Sequence, residues 1–208
     1  MLDGLQRSRM DRIWEDVARP LAKSGLTPNQ ITWAGLVLVL ANCAAFVAIG
    51  NTLVFGIGLA ISFAFDSLDG AVARLQATQS RYGGYLDAVV DRYQEMAVYF
   101  AVAWKTGWWP VCFAAAAGSL LVSYNKARTA IEIPIRNDNW PDLLERLERV
   151  VILCIGLVLD SLIPLPVWLG ERPLFLAVLV VAVFSHITAV QRFLRARNLL
   201  MAKGRSER

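Results

Sequence analysis

Four aspartates occur at helical spacings within 26 residues of an otherwise apolar chain. Asp66 and Asp69 are three residues apart, and Asp87 and Asp91 are four apart, so each pair is predicted to share a helix face. A short connection makes the two segments antiparallel neighbours, which brings both pairs to a similar depth. Clustered carboxylates need cations, and an oxygen ligand set without His or Cys suits Mg²⁺, Mn²⁺ or Ca²⁺ rather than zinc.

Small residues and an arginine accompany these acids. Gly70 follows the first aspartate by one turn, Gly83 precedes the third by one turn, and Ala73 and Arg74 follow Gly70. Small residues let helices approach each other or leave room for a flat ligand. Mg²⁺ is usually bound by one or two carboxylates together with substrate phosphates, and two such ions stabilise both oxygens of a phosphoryl displacement. The pattern predicts a pyrophosphate site with Arg74 placed to meet a phosphate.

The composition indicates an integral membrane protein. The chain has 208 residues, 56% of them apolar and only 18% charged, which excludes a disordered, coiled-coil or fibrous protein. Three isolated cysteines exclude a disulfide framework and a zinc site. Six apolar segments are long enough to suggest transmembrane helices. They are Ile31–Gly50, Leu53–Ala73, Gly84–Trp104, Trp108–Tyr124, Val150–Leu165 and Leu174–Phe193.

The ends of the chain differ from this apolar body. In residues 1–26, Ile13, Trp14, Val17 and Leu21 recur at helical spacing among charges, which predicts an amphipathic helix lying in the membrane interface. Residues 27–198 form the predicted six-helix domain, and residues 199–208 a basic cytoplasmic tail. With six spans, 18 of the 21 Lys and Arg residues fall on one side, which places both termini in the cytoplasm.

The aspartate segment reads Asp66-x2-Asp69-Gly70-x2-Ala73-Arg74-x8-Gly83-x3-Asp87-x3-Asp91. It resembles the motif of the CDP-alcohol phosphatidyltransferase family at every fixed position. The six-span layout, the interfacial N-terminal helix and the Thr27-Pro28-Asn29 segment before the first span also resemble that family. The fold that the resemblance implies is an all-α integral membrane protein with six transmembrane helices, and it also implies a homodimer.

The resemblance further implies the chemistry. A CDP-lipid, commonly CDP-diacylglycerol, binds through its pyrophosphate to two divalent ions, Mg²⁺ or Mn²⁺. An alcohol attacks the phosphorus attached to the lipid, and CMP leaves. By position, the metal ligands would be Asp66, Asp69, Asp87 and Asp91, with Asp91 also the general base. The residues that contact the CDP-lipid would be Asn29, Thr32, Gly70, Ala73, Arg74 and Gly83.

A group of cations suggests how the acceptor is recognised. Lys126 and Arg128 end the predicted fourth span, Arg146 precedes the fifth, and Arg192 ends the sixth. Such a basic pocket suits an anionic head group. The segments resemble branches of the family that use inositol phosphate, although Thr129 and Ala130 replace a small residue and Glu. Glycerol phosphate, serine and free inositol remain alternative acceptors, and the lipid chains are either acyl or ether.

Two other classes of protein compete with this interpretation. A small cation transporter would use the aspartates as an ion site, but it would more often show an internal repeat and broken helices near the midplane. A structural or lipid-binding membrane protein without catalysis would be expected to lose at least one acid. The sequence leaves the roles of Glu95 and His186 open, with a packed, hydrogen-bonded histidine favoured over a catalytic one.

Overall fold

The computed structural model describes residues 14–134, 143–163 and 172–206, and within these ranges it contains α-helices and no strand. Residues 14–23 form α1. The following helices are α2 (Pro28–Ile49), α3 (Thr52–Asp66), α4 (Leu68–Leu75), α5 (Arg81–Thr106), α6 (Trp109–Glu132), α7 (Arg146–Leu162) and α8 (Pro173–Ser206).

The six long helices pack side by side in a closed ring. In order around the ring they are α2, α3, α7, α8, α6 and α5, and α5 contacts α2 again. Each contributes at least one fully buried apolar side chain to a single core. One such residue from each helix is Val39, Leu59, Leu157, Val178, Ala115 and Val102. The ring brings helices that are distant in sequence into contact. The contact between α3 and α7 matters most for the site.

Three of the described helical segments are long and apolar enough to cross a membrane: Pro28–Ile49, Thr52–Leu75 and Pro173–Ala202. They correspond to the first, second and sixth predicted spans. The other three ring helices differ in composition: α5 carries several charges, α6 is rich in Ala, Gly and Ser, and α7 has only 17 residues. The all-helical fold class is thus confirmed for the described residues, with three helices that could span a membrane.

The second predicted span is interrupted at Ser67. The backbone of Ser67 departs from regular α-helical geometry, with φ −62° and ψ −9°, and its hydroxyl donates to the carbonyl oxygen of Phe63 at 3.0 Å. The helix α3 ends at Asp66, and α4 begins at Leu68. The prediction that Asp66 and Asp69 share one helix face is wrong, because the break places them in different helices.

The N-terminal helix packs against α4. Ala18 is fully buried against Ala71 and Val72, and the Gln76 side chain donates to two carbonyl oxygens near the α1–α2 connection. Val17, predicted to lie on the apolar face, is 52% exposed, and Ile13 lies outside the described residues. At the other end of the chain, α8 continues to Ser206, so the predicted tail begins inside a helix.

Candidate active site

Three of the four aspartates meet where α3 ends against α5. One carboxylate oxygen from each of Asp66, Asp87 and Asp91 lies within 4.8 Å of the others. Asp66 is only 2% exposed and Asp91 9%, so the cluster is sheltered from solvent. Asp87 and Asp91 are one turn apart on α5, as their spacing predicted, and Asp66 faces them from the end of α3.

The Asp66 carboxylate is held closely by its surroundings. Its Oδ1 accepts a hydrogen bond from Nε2 of Gln94 at 3.0 Å, and its Oδ2 accepts one from Nη2 of Arg146 at 3.1 Å. Gly35 of α2 lies directly against it: a methyl group at that position would be 2.6 Å from Asp66 Oδ1. Glycine at 35 is therefore required for α2 to pack beside this carboxylate.

Arg146, the first residue of α7, is the cation in contact with two of these acids. Its Nη1 lies 2.5 Å from Asp91 Oδ1, and its Nη2 also donates to Gln94 Oε1 at 2.6 Å. Its guanidinium carbon lies 5.4 Å from the centre of the Phe63 ring. Because α7 packs on α3, a residue 80 positions away in sequence reaches Asp66.

The fourth aspartate faces a separate cavity of about 450 Å³. Asp69 accepts a 2.6 Å hydrogen bond from the Thr32 hydroxyl and lines this cavity together with Asp87. All six residues predicted to contact the CDP-lipid line it as well: Asn29, Thr32, Gly70, Ala73, Arg74 and Gly83. Arg74 also lies 3.8 Å from Glu15 of α1.

Two helix N-termini border the same cavity, here called the donor cavity. Thr27 caps α2 through a reciprocal bond pair with Gln30, and Ser80 caps α5 by accepting from the Gly83 N–H at 3.0 Å. Thr27, Ser80 and Gly83 all line the cavity. The N–H groups and positive dipole ends of helix N-termini favour bound phosphate. The cavity thus combines acids, one arginine and two helix ends in the arrangement that a metal-bound pyrophosphate needs.

A second cavity, of about 370 Å³, lies on the other side of Arg146. Its lining includes three of the four predicted acceptor residues, Lys126, Arg146 and Arg192, together with Arg92 and Arg149. We call it the basic cavity. The fourth predicted residue, Arg128, lies outside its lining, is exposed, and pairs with Glu132 at 2.6 Å. The prediction that Arg128 belongs to this pocket is corrected accordingly.

Glu95 fixes two arginines of the basic cavity. Its Oε1 accepts from Nε of Arg149 at 2.8 Å, and its Oε2 lies 2.9 Å from Nη1 of Arg92. Arg149 is 2% exposed and Glu95 5%, and charges so deeply buried are stable only when paired. Arg92 also donates to the Ser123 hydroxyl, which links α5 to α6. The role of Glu95, open in the sequence, is thus an ion-pair role between α5 and α7.

His186 has a packing role in the structure. Its Nε2 lies 3.1 Å from the carbonyl oxygen of Ala114, which joins α8 to α6.

The donor set fits a hard divalent cation. Asp66, Asp87 and Asp91 each offer a carboxylate oxygen within 4.8 Å of the others, and carboxylate oxygens are the ligands that Mg²⁺ and Mn²⁺ prefer. The described residues therefore suit a metal centre formed by Asp66, Asp87 and Asp91, with Asp69 nearby on the donor side.

Gly35, Gln94 and Arg92 are parts of the site that the sequence did not lead us to assign. Gln94 had a usable signal, because it follows Asp87 by seven residues and Asp91 by three and so lies on their face of α5. Gly35 had none, since its importance arises from a contact with Asp66 that only the packing of α2 creates.

We predict that Gly35→Ala disturbs the metal centre by displacing Asp66. The added methyl would overlap Oδ1, so the carboxylate must turn or α2 must shift, and we expect Mn²⁺ affinity to fall by ~10-fold or more, the size typical of disturbed ligand orientation. Mn²⁺ titration followed by electron paramagnetic resonance measures this.

Gly118→Ala is the matched control. A methyl there would approach Ser185 Cβ to 2.8 Å at the α6–α8 contact, remote from the carboxylates. It should lower thermal stability but leave Mn²⁺ affinity unchanged. Equal Mn²⁺ affinity in Gly35→Ala and in the unsubstituted protein would contradict the packing argument.

Comparison with known proteins agrees with this geometry. Residues 25–163 match the family model described as CDP-alcohol phosphatidyltransferase. An archaetidylinositol phosphate synthase of Pyrococcus horikoshii is 31% identical over 195 residues, which cover 93% of this chain and 96% of that protein. A phosphatidylinositol phosphate synthase of Mycobacteroides abscessus is 30% identical over 201 residues, covering 93% and 88%.

Solved structures show the same fold. A Mycobacterium tuberculosis phosphatidylinositol phosphate synthase with CDP-DAG bound superposes with a TM-score of 0.75 at 30% identity, covering 89% of this chain and 94% of that one. The same enzyme with manganese and citrate gives a TM-score of 0.76 at 29% identity, covering 88% of each chain. The aspartate motif, the helical ring and these relatives together show that the chain belongs to the CDP-alcohol phosphatidyltransferase family.

Proposed function

We propose that this protein transfers a phosphatidyl-type group from a CDP-lipid, CDP-diacylglycerol or a close relative, to inositol phosphate and releases CMP. One observation carries the proposal: the carboxylate cluster lies between a donor cavity suited to pyrophosphate and a basic cavity suited to an anionic acceptor. The relatives named as inositol phosphate-type synthases support this acceptor over serine, glycerol phosphate or free inositol.

The donor cavity orients the CDP-lipid in this proposal. Thr32 and Asn29 lie at the start of α2, and Gly70, Ala73 and Gly83 leave room for a flat nucleotide. Arg74 neutralises phosphate charge. Asp66, Asp69, Asp87 and Asp91 would hold two divalent ions, Mg²⁺ or Mn²⁺, which supply charge stabilisation to the attacking and leaving oxygens. The leaving CMP then departs with the oxygen that bridged its phosphorus to the lipid phosphorus.

Asp91 is the candidate general base, because it lies on the side of the cluster that faces the basic cavity through Arg146. The acceptor hydroxyl attacks the lipid-bearing phosphorus, and Asp91 orients the hydroxyl and accepts its proton. Its ion pairs with Arg146 and Arg92 hold the carboxylate in place, which suits an orienting role. Lys126 and Arg192 hold the acceptor phosphate from the far wall of the basic cavity.

We further propose that all six ring helices cross the membrane, with both termini and the active site on the cytoplasmic side of the inner membrane. The distribution of Lys and Arg supports this orientation. Residues 27–198 form the catalytic domain in this proposal, residues 1–26 an interfacial arm, and 199–208 a basic tail. Cysteine labelling at each end of an otherwise cysteine-free variant tests the orientation, and light scattering tests the expected homodimer.

CMP release by the purified protein tests the reaction. CDP-diacylglycerol and Mn²⁺ are supplied with inositol phosphate, glycerol phosphate, serine or inositol in turn, with and without a chelator. We expect release with inositol phosphate and none after chelation. Release with another acceptor only would overturn the acceptor assignment, and metal binding without any release would favour the cation-transporter alternative.

Asp87→Asn should lower kcat by ~100-fold or more, because the loss of a metal ligand removes several kcal/mol of charge stabilisation. Asp87 is only half-buried, so the protein should still fold and insert. Asp160→Asn is the matched control: Asp160 pairs with Arg172 at the opposite end of α7 from Arg146. Retained activity in Asp87→Asn would contradict the metal assignment.

Lys126→Ala should raise the acceptor KM by roughly 10- to 100-fold, the worth of one charge-assisted hydrogen bond, and leave the CDP-lipid KM unchanged. Lys126 is a cleaner test than Arg146, whose removal would also free Asp66 and Asp91. Arg128→Ala removes a charge from the same helix outside the cavity and should change neither KM. Equal effects of Lys126→Ala on both substrates would assign Lys126 to the donor or to the fold.

A further inference from the structure

We propose that Gln94 is a positioning residue, which sets the orientation of the Asp66 carboxylate and links it to Arg146 of the basic cavity. The inference rests on the proposed metal centre, and it assigns a specific task to a side chain outside the family motif as it occurs here. The site requires such a residue because a carboxylate on a helix end can otherwise rotate about its last side-chain bond.

The side-chain amide of Gln94 makes one hydrogen bond through its nitrogen and one through its oxygen. The residue has no solvent exposure, and its Nε2 donates to Asp66 Oδ1 at 3.0 Å while its Oε1 accepts from Arg146 Nη2 at 2.6 Å. A carboxylate accepts only and a guanidinium donates only, so this orientation of the amide is the one that satisfies both neighbours. The amide is thus clamped between an acid and a base.

These contacts leave lone pairs of the Asp66 carboxylate available to a metal ion. Each of its oxygens receives one protein donor, Gln94 on Oδ1 and Arg146 on Oδ2. A carboxylate has about four lone-pair positions, so some remain for a metal ion, and one Asp66 oxygen lies within 4.8 Å of oxygens of Asp87 and Asp91. Gly35 closes the other side of Oδ1, which restricts rotation further. Partners that orient a ligand in this way typically change metal affinity or activity by about 10- to 100-fold when removed.

The other contact of Gln94 links the metal centre to the basic cavity. Arg146 lines that cavity, and its Nη2 is shared between Gln94 and Asp66. Two substitutions separate these contacts. Gln94→Met keeps the length of the side chain and removes both hydrogen bonds. Gln94→Glu keeps the shape and the acceptor for Arg146, but it cannot donate to ionised Asp66.

The primary experiment is Mn²⁺ titration of the purified protein in detergent, followed by electron paramagnetic resonance. We expect Gln94→Met to bind Mn²⁺ about 10- to 100-fold more weakly than the unsubstituted protein. Asn42→Leu is the matched control. Asn42 also donates partly buried amide bonds, to Gly58 O and Ser62 Oγ between α2 and α3, and no contact joins it to the carboxylates. Asn42→Leu should lower thermal stability about as much as Gln94→Met does, but it should leave Mn²⁺ affinity unchanged.

Gln94→Glu keeps the inference testable even where Gln94→Met fails to fold. With Arg146 still held, we expect the acceptor KM to stay within about twofold while kcat at saturating Mn²⁺ falls by ~10-fold or more. Unchanged Mn²⁺ affinity in Gln94→Met, or unchanged kcat in Gln94→Glu, would overturn the positioning role. Failure of the unsubstituted protein to bind Mn²⁺ would instead contradict the proposed function itself.

Discussion

The mutual repulsion of the aspartates is the constraint on which the rest of the structure depends. Three carboxylates with oxygens within 4.8 Å of one another, two of them nearly buried, cannot stay ionised without compensating positive charge. The protein provides part of it through Arg146, at the start of α7, and Arg92, on α5. Divalent cations, bound where these carboxylates meet, would provide the rest.

The ring of helices makes this compensation possible. Because α7 packs between α3 and α8, Arg146 reaches the acids from the side that also borders the basic cavity. Glu95 holds Arg149 and Arg92 in turn, so neither of these arginines is free to neutralise the acids completely. The carboxylates consequently connect the two cavities: Asp87 lines the donor cavity, and Asp66 and Asp91 pair with Arg146, which lines the basic cavity.

The sequence predicts much of the site because its chemistry is local. Helical spacing places Asp87 and Asp91 on one face. Six of the eight motif residues line the donor cavity together with Asn29 and Thr32: Asp69, Gly70, Ala73, Arg74, Gly83 and Asp87. Contacts between helices of the ring could not be predicted from the sequence. The contacts of Gln94 and Gly35 with Asp66 arise only from helix packing. The break at Ser67 was missed because neither Pro nor Gly stands at that position; the structure shows it as a change in one backbone angle. Arg128 was misplaced because residues two apart on a helix, such as Lys126 and Arg128, do not face the same side.

The central claim is that Asp66, Asp87 and Asp91 form the metal centre of a phosphatidyl transferase. Crystals of this protein grown with Mn²⁺ would test it most directly, through an anomalous difference map recorded near the manganese absorption edge. We predict the strongest anomalous peak between these three carboxylates, on the side that opens to the donor cavity. A strongest peak elsewhere, with Asp66 and Asp91 still paired to Arg146, would contradict the account.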